Sequence, residues 1–120
     1  MSQNNDTGCA TVVLTEAVGL YLRTDFTGTL CGITERGVGY AREAGAIGDA
    51  IGVILHSKQG TIKVIAAAAI AVDAICYSAA SGKVSVSAST AYPLGIAKQA
   101  AGSDGDVIEM MPLVGETAVA

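Results

Sequence analysis

The apolar residues of this chain come in short runs, and this feature restricts the fold more than any other. From Cys9 onward, the runs are interrupted by Gly, Asp, Ser and Thr. Short apolar runs with such boundaries are typical of β-strands. They predict ten strands, over residues 11–15, 19–24, 29–34, 38–42, 51–56, 61–66, 74–78, 83–87, 94–98 and 107–113. So many short strands at close spacing indicate a mostly β fold, either a small barrel or a sandwich.

Two loops carry a hairpin signal. Residues 57–60 and 79–82 are four-residue loops, and each ends in glycine. Glycine takes a positive φ without steric cost, as hairpin loops often require. Each loop therefore predicts a hairpin between the strands on either side of it.

The one stretch with a helix-forming composition is residues 65–75, IAAAAIAVDAI. Alanine is the best helix former. However, the stretch has no polar face, and Lys63 and Val64 precede it where an N-cap residue would be needed. We therefore expect a strand, a bend of small residues and a second strand.

Three aspartates share a local pattern. Asp49, Asp73 and Asp106 each stand two residues before an isoleucine at the start of a predicted strand. Asp and the glycines beside it favour turns because they accept turn conformations and bond the local backbone. The spacing is too irregular for a structural repeat, so the pattern predicts turns.

The composition predicts a thin hydrophobic core. The apolar residues are mostly Ala, Val, Ile and Leu, with 15 Gly, one Phe and no Trp. Small side chains bury little area each, and burial stabilises by roughly 25 cal/mol per Å². Burial between subunits compensates for such a core, so the sequence predicts a homo-oligomer.

Charge and hydropathy argue against two classes of partner. The net charge is −4, and the seven Lys and Arg are scattered without a basic patch that could bind nucleic acid. The longest apolar run, residues 64–72, is too short to cross a membrane as a helix. Residues 1–8 lack the basic-then-apolar order of a signal peptide, so we expect synthesis in a cytoplasm.

Side chains that could perform chemistry are few and dispersed. His56 is the single histidine, and we expect it to be exposed or at the rim of a strand. Cys9, Cys31 and Cys76 are too widely spaced for a disulfide framework or a metal site, and they are predicted to be buried thiols. The sequence therefore predicts no catalytic residue, no cofactor and no metal, and thus a protein that is not an enzyme.

One order of sequence elements is similar to that of a known family. The elements lie within residues 46–113, except that the first begins one residue earlier, at Gly45. In order, they are GAIGD at 45–49, an alanine-rich run at 66–71, AICY at 74–77, ASGKVSVS at 80–87, LGIA at 94–97 and AGSDGDV at 101–107. In this order they resemble the capsid cement, or head-decoration, proteins of tailed bacteriophages. Asp73 departs from the glycine that such proteins often have before the Tyr strand, and the first forty residues match poorly.

The resemblance implies a small β-barrel-like or β-tulip domain that forms oligomers, often trimers. It implies a virion protein on the outer capsid surface, made in the bacterial host, that binds the major capsid protein and locks neighbouring capsid subunits. Two alternatives remain open. One is another virion β-domain, from a tail or baseplate, and the other is a carrier or accessory domain with a modified lysine at Lys58.

The start of the chain is predicted to be a flexible arm. Residues 1–8 are polar, whereas residues 9–120 are predicted to form a single β-rich domain. A polar arm has no independent order but can become ordered on a partner through many weak contacts. The residues predicted to contact the capsid are Gln3, Asn4, Asn5, Asp6 and Thr7.

Overall fold

The computed structural model describes residues 9–56, 60–88 and 90–113. The described residues form nine β-strands and one short 3₁₀ turn, Ala80–Gly82, with no α-helix. The strands are β1 (Cys9–Val13), β2 (Arg23–Thr24), β3 (Gly39–Ala41), β4 (Ala50–Leu55), β5 (Ile62–Ile65), β6 (Ile75–Ser78), β7 (Val84–Ser85), β8 (Pro93–Ala97) and β9 (Val107–Pro112).

The first half of the chain forms a four-stranded antiparallel sheet in the order β1-β4-β3-β2. Buried Val12 alternates with exposed Thr11 and Val13 along β1, as expected for a sheet with one face on a core. Beyond the strand ends, the Thr15 N–H donates to the Gly28 carbonyl at 3.1 Å. The chain after β2 thus returns to the chain after β1, and the sheet curls into a half-barrel.

The second half forms a five-stranded antiparallel sheet in the order β5-β9-β8-β6-β7. In β5, buried Ile62 and Val64 alternate with exposed Lys63 and half-buried Ile65. The register shifts between Cys76 and Tyr77, where β6 pairs with β8.

The described residues form two hydrophobic cores. The first core lies within the first half of the chain and comprises Val12, Leu14, Val18, Ala41, Ile51 and Val53. The second core is shared between the sheets, because Tyr40 of β3 belongs to it and Ile54 of β4 packs against it; it comprises Tyr40, Ile62, Val64, Ala66, Ile70, Cys76, Val84, Leu94, Ala97, Ala101, Ile108 and Met110. One large aromatic ring, that of Tyr40, stands among Ala, Val and Ile in the second core. The mostly β, barrel-like fold and the small-residue cores agree with the predictions.

Nine of the ten predicted strands overlap an observed strand, and the tenth is wrong. Residues 29–34 form no strand, and only Leu30 makes an isolated bridge, to Thr24. The carbonyls of Cys31 and Gly32 accept hydrogen bonds from the Arg23 side chain, so this backbone turns inward to a guanidinium group. The prediction for 19–24 is too long, because Tyr21 takes φ 67° in a turn before β2.

One predicted hairpin is confirmed and the other is wrong. β6 pairs with β7 across loop 79–82, in which Gly82 has φ 76°. Loop 57–60 joins strands of different sheets instead: β4 lies between β1 and β3, so neither of its edges is free for β5. Residues 57–59 themselves lie outside the described residues.

The alanine-rich stretch bends as predicted. After β5, Ala66 bridges to Val84, and Ile70 bridges to Ala101 with backbone hydrogen bonds of 2.9 and 3.0 Å. Asp73 then takes φ 70° in the turn before β6. Small side chains allow this close backbone path between strands.

The predicted aspartate turns are also confirmed. The Asp49 carboxylate accepts the Ala46 N–H at 2.9 Å, and the Asp106 carboxylate accepts the Gly102 N–H at 2.8 Å. Each aspartate therefore closes the turn that precedes its strand. Asp73 instead has a left-handed backbone conformation itself, with φ 70°.

Candidate functional site

The single histidine joins two chain segments. His56 is half-buried at the end of β4, and its Nε2 lies 2.6 Å from the Leu113 carbonyl oxygen. A carbonyl only accepts, so Nε2 carries the proton and the Tyr40 hydroxyl donates to Nδ1 over 3.1 Å. Burial lowers the pKa of His56. Because both ring nitrogens are occupied, this geometry suits a structural tie. The half-buried position at the end of β4 fits the expected rim histidine, whereas its two hydrogen bonds were not predicted.

The other chemistry-bearing groups lie apart. Among residues 9–56, 60–88 and 90–113, no three His, Cys, Asp or Glu side chains are grouped so that they could hold a metal ion. Burial raises the pKa of both Cys31 and Cys76 to about 11. Those two thiols are buried as predicted, whereas Cys9 is half-exposed on the edge strand β1.

The most elaborate polar cluster surrounds Arg23 on β2. This side chain is fully buried, and its guanidinium donates to six backbone carbonyls. The two shortest bonds reach Glu35 at 2.5 Å and Ala79 at 2.6 Å. The others reach Cys31, Gly32, Arg36 and Lys83, at 3.4, 3.1, 3.3 and 3.2 Å. Burial lowers the pKa of Arg23, but arginine remains charged in proteins.

Arg23 connects the two sheets. Its acceptors come from residues 31–36 after β2 and from the β6–β7 turn of the second sheet. Two further contacts reinforce the same joint. The Gly82 N–H donates to the Cys31 carbonyl at 2.7 Å, and the Ser78 hydroxyl donates to the Ile33 carbonyl. The cluster is thus a structural clasp, and no spacing in the sequence distinguished Arg23 from the other cations.

The outer face of the five-stranded sheet carries an apolar row. Ile75 on β6 pairs with Ile96 on β8, which pairs with Met111 on β9. Ile75 is 43% exposed, Met111 is 47% exposed, and Ile96 is half-buried. Paired residues of neighbouring strands project from the same side of a sheet, so the three side chains are contiguous. We call Ile75, Ile96 and Met111 the outer row.

An open groove of about 510 Å³ adjoins the outer row. It is lined by Gly60, Thr61, Asp73, Ile96, Ala97, Lys98 and Met111. Charged side chains of alternating sign form the next row of the sheet, because Glu109 lies between Lys63 and Lys98. The Thr61 hydroxyl bonds Glu109 at 2.7 Å, and this bond together with nearby Lys98 lowers the pKa of Glu109. An apolar row beside alternating charges has the composition of a protein-binding surface.

Residues predicted as capsid contacts are not placed by the structure. Gln3, Asn4, Asn5, Asp6 and Thr7 lie outside the described residues, so their assignment stays a prediction. Lys58, the residue that a carrier domain would modify, also lies outside them.

Comparisons with known proteins identify no relative: no protein-family model matches the chain, and no curated protein matches its sequence. Within the described residues, no helix has the length and apolar character needed to cross a membrane.

Proposed function

We propose that this chain is a structural protein of a bacteriophage head, which binds the outer capsid surface and cements contacts between major capsid subunits. One observation carries the proposal. Ten large apolar side chains of the described residues are 40–72% exposed, and two of them, Ile75 and Met111, flank Ile96 in one contiguous row on the five-stranded sheet. A contiguous exposed apolar row is suited to burial against another protein.

The sequence resemblance is the reason for proposing a phage capsid as the binding partner. Most of the elements that resemble cement proteins belong to the five-stranded sheet and its turns, including AICY at 74–77 and LGIA at 94–97. The bonding of His56 and Arg23 within the fold supports a structural rather than a catalytic role. The proposed activity is therefore adhesion between capsid subunits.

A homotrimer that uses the outer row completes the proposal. Standard protein interfaces bury about 800 Å² per partner, with an apolar centre and a polar rim. The outer row supplies an apolar centre, and the row of Lys63, Glu109 and Lys98 supplies charges of both signs. Around a threefold axis the outer rows of three copies can meet, and Glu109 of each copy can face a lysine of its neighbour, which favours self-association.

Sedimentation tests the capsid proposal directly. Expanded capsids without a decoration protein are mixed with the purified chain and pelleted, and isolated tails are treated in the same way. Saturable binding to capsids, with capsids that then resist heat, is the expected result. Binding to tails alone identifies the other virion role, and binding to neither contradicts both.

Light scattering tests the trimer. Met111→Lys places a charge in the outer row and should shift the trimer toward monomer by at least tenfold in dissociation constant, about 1.4 kcal/mol. Leu20→Lys is the matched control, because Leu20 is 40% exposed but lies before β2 in the first half of the chain. Equal oligomer states for both variants would refute the use of the outer row.

A further inference from the structure

The three most exposed large apolar side chains of the described residues belong to Val13, Phe26 and Ile47, which are 58, 63 and 72% exposed. We call them the apolar tip. Phe26 is the single phenylalanine of the chain, and it lies on the surface rather than in either core. Large exposed apolar groups that lie together indicate a binding site.

Phe26 sits on a turn that is locked by one carboxylate. Asp25 accepts the N–H of Thr27 at 3.0 Å and the N–H of Thr29 at 3.2 Å, and it accepts both threonine hydroxyls at 2.6 and 2.9 Å. Gly28 completes the turn at φ 85°. The ring of Phe26 is therefore presented to solvent by a backbone with little freedom.

Ile47 sits on a second locked turn. The Asp49 N–H donates to the Ala46 carbonyl at 3.0 Å, and the Asp49 carboxylate accepts the Ala46 N–H at 2.9 Å. Gly48 takes φ 90° between them. This turn thus has the same construction as the Phe26 turn: an aspartate bonds the backbone and a glycine holds a positive φ.

Both turns attach to the same two residues at the end of β1. Leu14 donates to the Asp49 carbonyl at 2.9 Å and accepts the Gly48 N–H at 2.8 Å. Thr15 donates its N–H to the Gly28 carbonyl at 3.1 Å and its hydroxyl to the Thr27 carbonyl at 3.0 Å. Val13 immediately precedes this segment. The backbone segments that carry the three tip side chains therefore adjoin one another at residues 13–15.

Acidic groups surround the tip. Asp25 and Asp49 each bond the backbone of a tip turn, and Glu16, which follows Thr15, accepts the Leu30 N–H at 2.9 Å. Burial opposes the charge on Asp25, but hydrogen bonds from Thr27 and Thr29 outweigh it and lower the pKa of Asp25. The nearest cation in the sequence, Arg23, is fully buried in its clasp, and the exposed Arg42 extends over Gly52 toward the Cys9 sulfur, at the other end of β1 from Val13. The rim of the tip is accordingly anionic.

We propose that the apolar tip inserts into an apolar pocket rimmed by Lys or Arg on a different protein. The proposal rests on the proposed function, in which that protein is the major capsid protein. Apolar anchors at the centre of an interface carry most of its binding energy, and charges around them select the partner. The two locked turns reduce the entropy lost on binding, because the anchors are already held in place.

The acidic rim distinguishes the partner from two other occupants. A second copy of this chain would bring like charges together around the tip, which opposes self-association there. A bilayer with anionic lipids would repel the same rim. A basic rim on a different protein attracts it, so binding through the tip should weaken as salt concentration rises.

The test compares two variants for binding to expanded capsids. Phe26→Ala with Ile47→Ala should raise the dissociation constant about 30-fold or more, as expected for central anchors. Val72→Ala is the matched control, because Val72 is 53% exposed in the turn before β6 and should leave affinity within about twofold. Light scattering of each variant checks that the oligomer persists.

A second variant tests the rim separately. Glu16→Gln with Asp49→Asn removes two charges but keeps an oxygen acceptor for the Leu30 and Ala46 N–H groups. It should bind capsids more weakly at low salt and lose much of the salt dependence of the wild type. Equal salt dependence in variant and wild type would overturn the basic-rimmed pocket.

The remaining outcomes are each decisive. If the wild type binds capsids and the Phe26→Ala, Ile47→Ala variant binds equally well, the tip proposal fails and the proposed function stands. If the variant loses its oligomer, the tip binds a second copy of the chain, and the proposal fails. If the wild type binds vesicles of phosphatidylserine and phosphatidylcholine through the tip, the tip binds a membrane, and the proposal also fails. If the wild type binds no capsid, both proposals fall.

Discussion

Replacing Arg23 with methionine should destabilise the protein strongly. Methionine fills similar space but donates no hydrogen bond, so all six carbonyl acceptors lose one donor. The carbonyls of Cys31, Gly32 and Lys83 keep a backbone donor, from Gly82, Glu35 and Ala79. The carbonyls of Glu35 and Ala79 accept from Arg23 alone among the described residues, and the Arg36 carbonyl loses the weaker bond of 3.3 Å.

The magnitude follows from those two acceptors and from the weaker bonds. A buried acceptor left unsatisfied costs about 1–3 kcal/mol, and bonds to a charged group contribute about 1.5–3 kcal/mol each. Relief of the desolvation of the guanidinium offsets part of the loss. We therefore expect a net loss of about 4 kcal/mol. At about 2.1 cal/mol/K of unfolding entropy per residue, a chain of 120 residues should melt about 16 °C lower.

Thermal unfolding followed by circular dichroism measures this loss. Arg23→Lys keeps the charge but not the planar fork that reaches both sheets, so its melting temperature should fall between those of the wild type and Arg23→Met. Arg42→Met is the matched control, because Arg42 is exposed and, among the described residues, its side chain donates a hydrogen bond only to the Cys9 sulfur, at 3.5 Å. An Arg23→Met protein that melts within about 3 °C of the wild type would refute the clasp, since this shift corresponds to under 1 kcal/mol.

Four further substitutions test other parts of the fold by urea or thermal unfolding. Asp73→Gly should stabilise by about 0.5–1 kcal/mol because glycine tolerates φ 70°, and a loss of stability would contradict that reading. Burial lowers the pKa of His56, so this histidine contributes its full stabilisation above the unfolded-state pKa of about 6.5. The stabilisation is lost as the pH falls through the lower folded-state pKa, so His56→Gln should reduce the difference in stability between about pH 7.5 and pH 5. Gly28→Ala should destabilise far more than Gly48→Ala. A Cβ added at Gly28 would lie 2.2 Å from the Val13 carbonyl oxygen, whereas nothing lies within 4 Å of a Cβ added at Gly48. Equal losses of stability in the two variants would show that the positive φ alone matters.

Local patterns predicted most strands because strand boundaries are local features. Gly and Asp turns mark them, and the turns at Asp49 and Asp106 formed as expected. Partner choice is not local. Loop 57–60 has the same sequence signal as loop 79–82, yet only the second joins paired strands, because β4 already has two partners.

The candidate surfaces were harder to predict. The outer row depends on register across β6, β8 and β9, and the apolar tip depends on two turns, 20 residues apart in sequence, that meet at Leu14 and Thr15. The Arg23 clasp depends on carbonyls up to 60 residues away. Periodicity and composition carry no information about such contacts, which arise only when strands pair, turns meet and the two sheets pack.

The division of the chain between its two sheets has a consequence for folding. All strands of the first sheet lie before residue 56, and all strands of the second lie after residue 61. During synthesis, the first sheet has all its strands before the second has left the ribosome, and domains generally fold as they emerge. The guanidinium of Arg23 then has its acceptors in residues 31–36 but still lacks those at Ala79 and Lys83. The clasp therefore closes last, and amide hydrogen exchange should be slower within each sheet than at the joint between them.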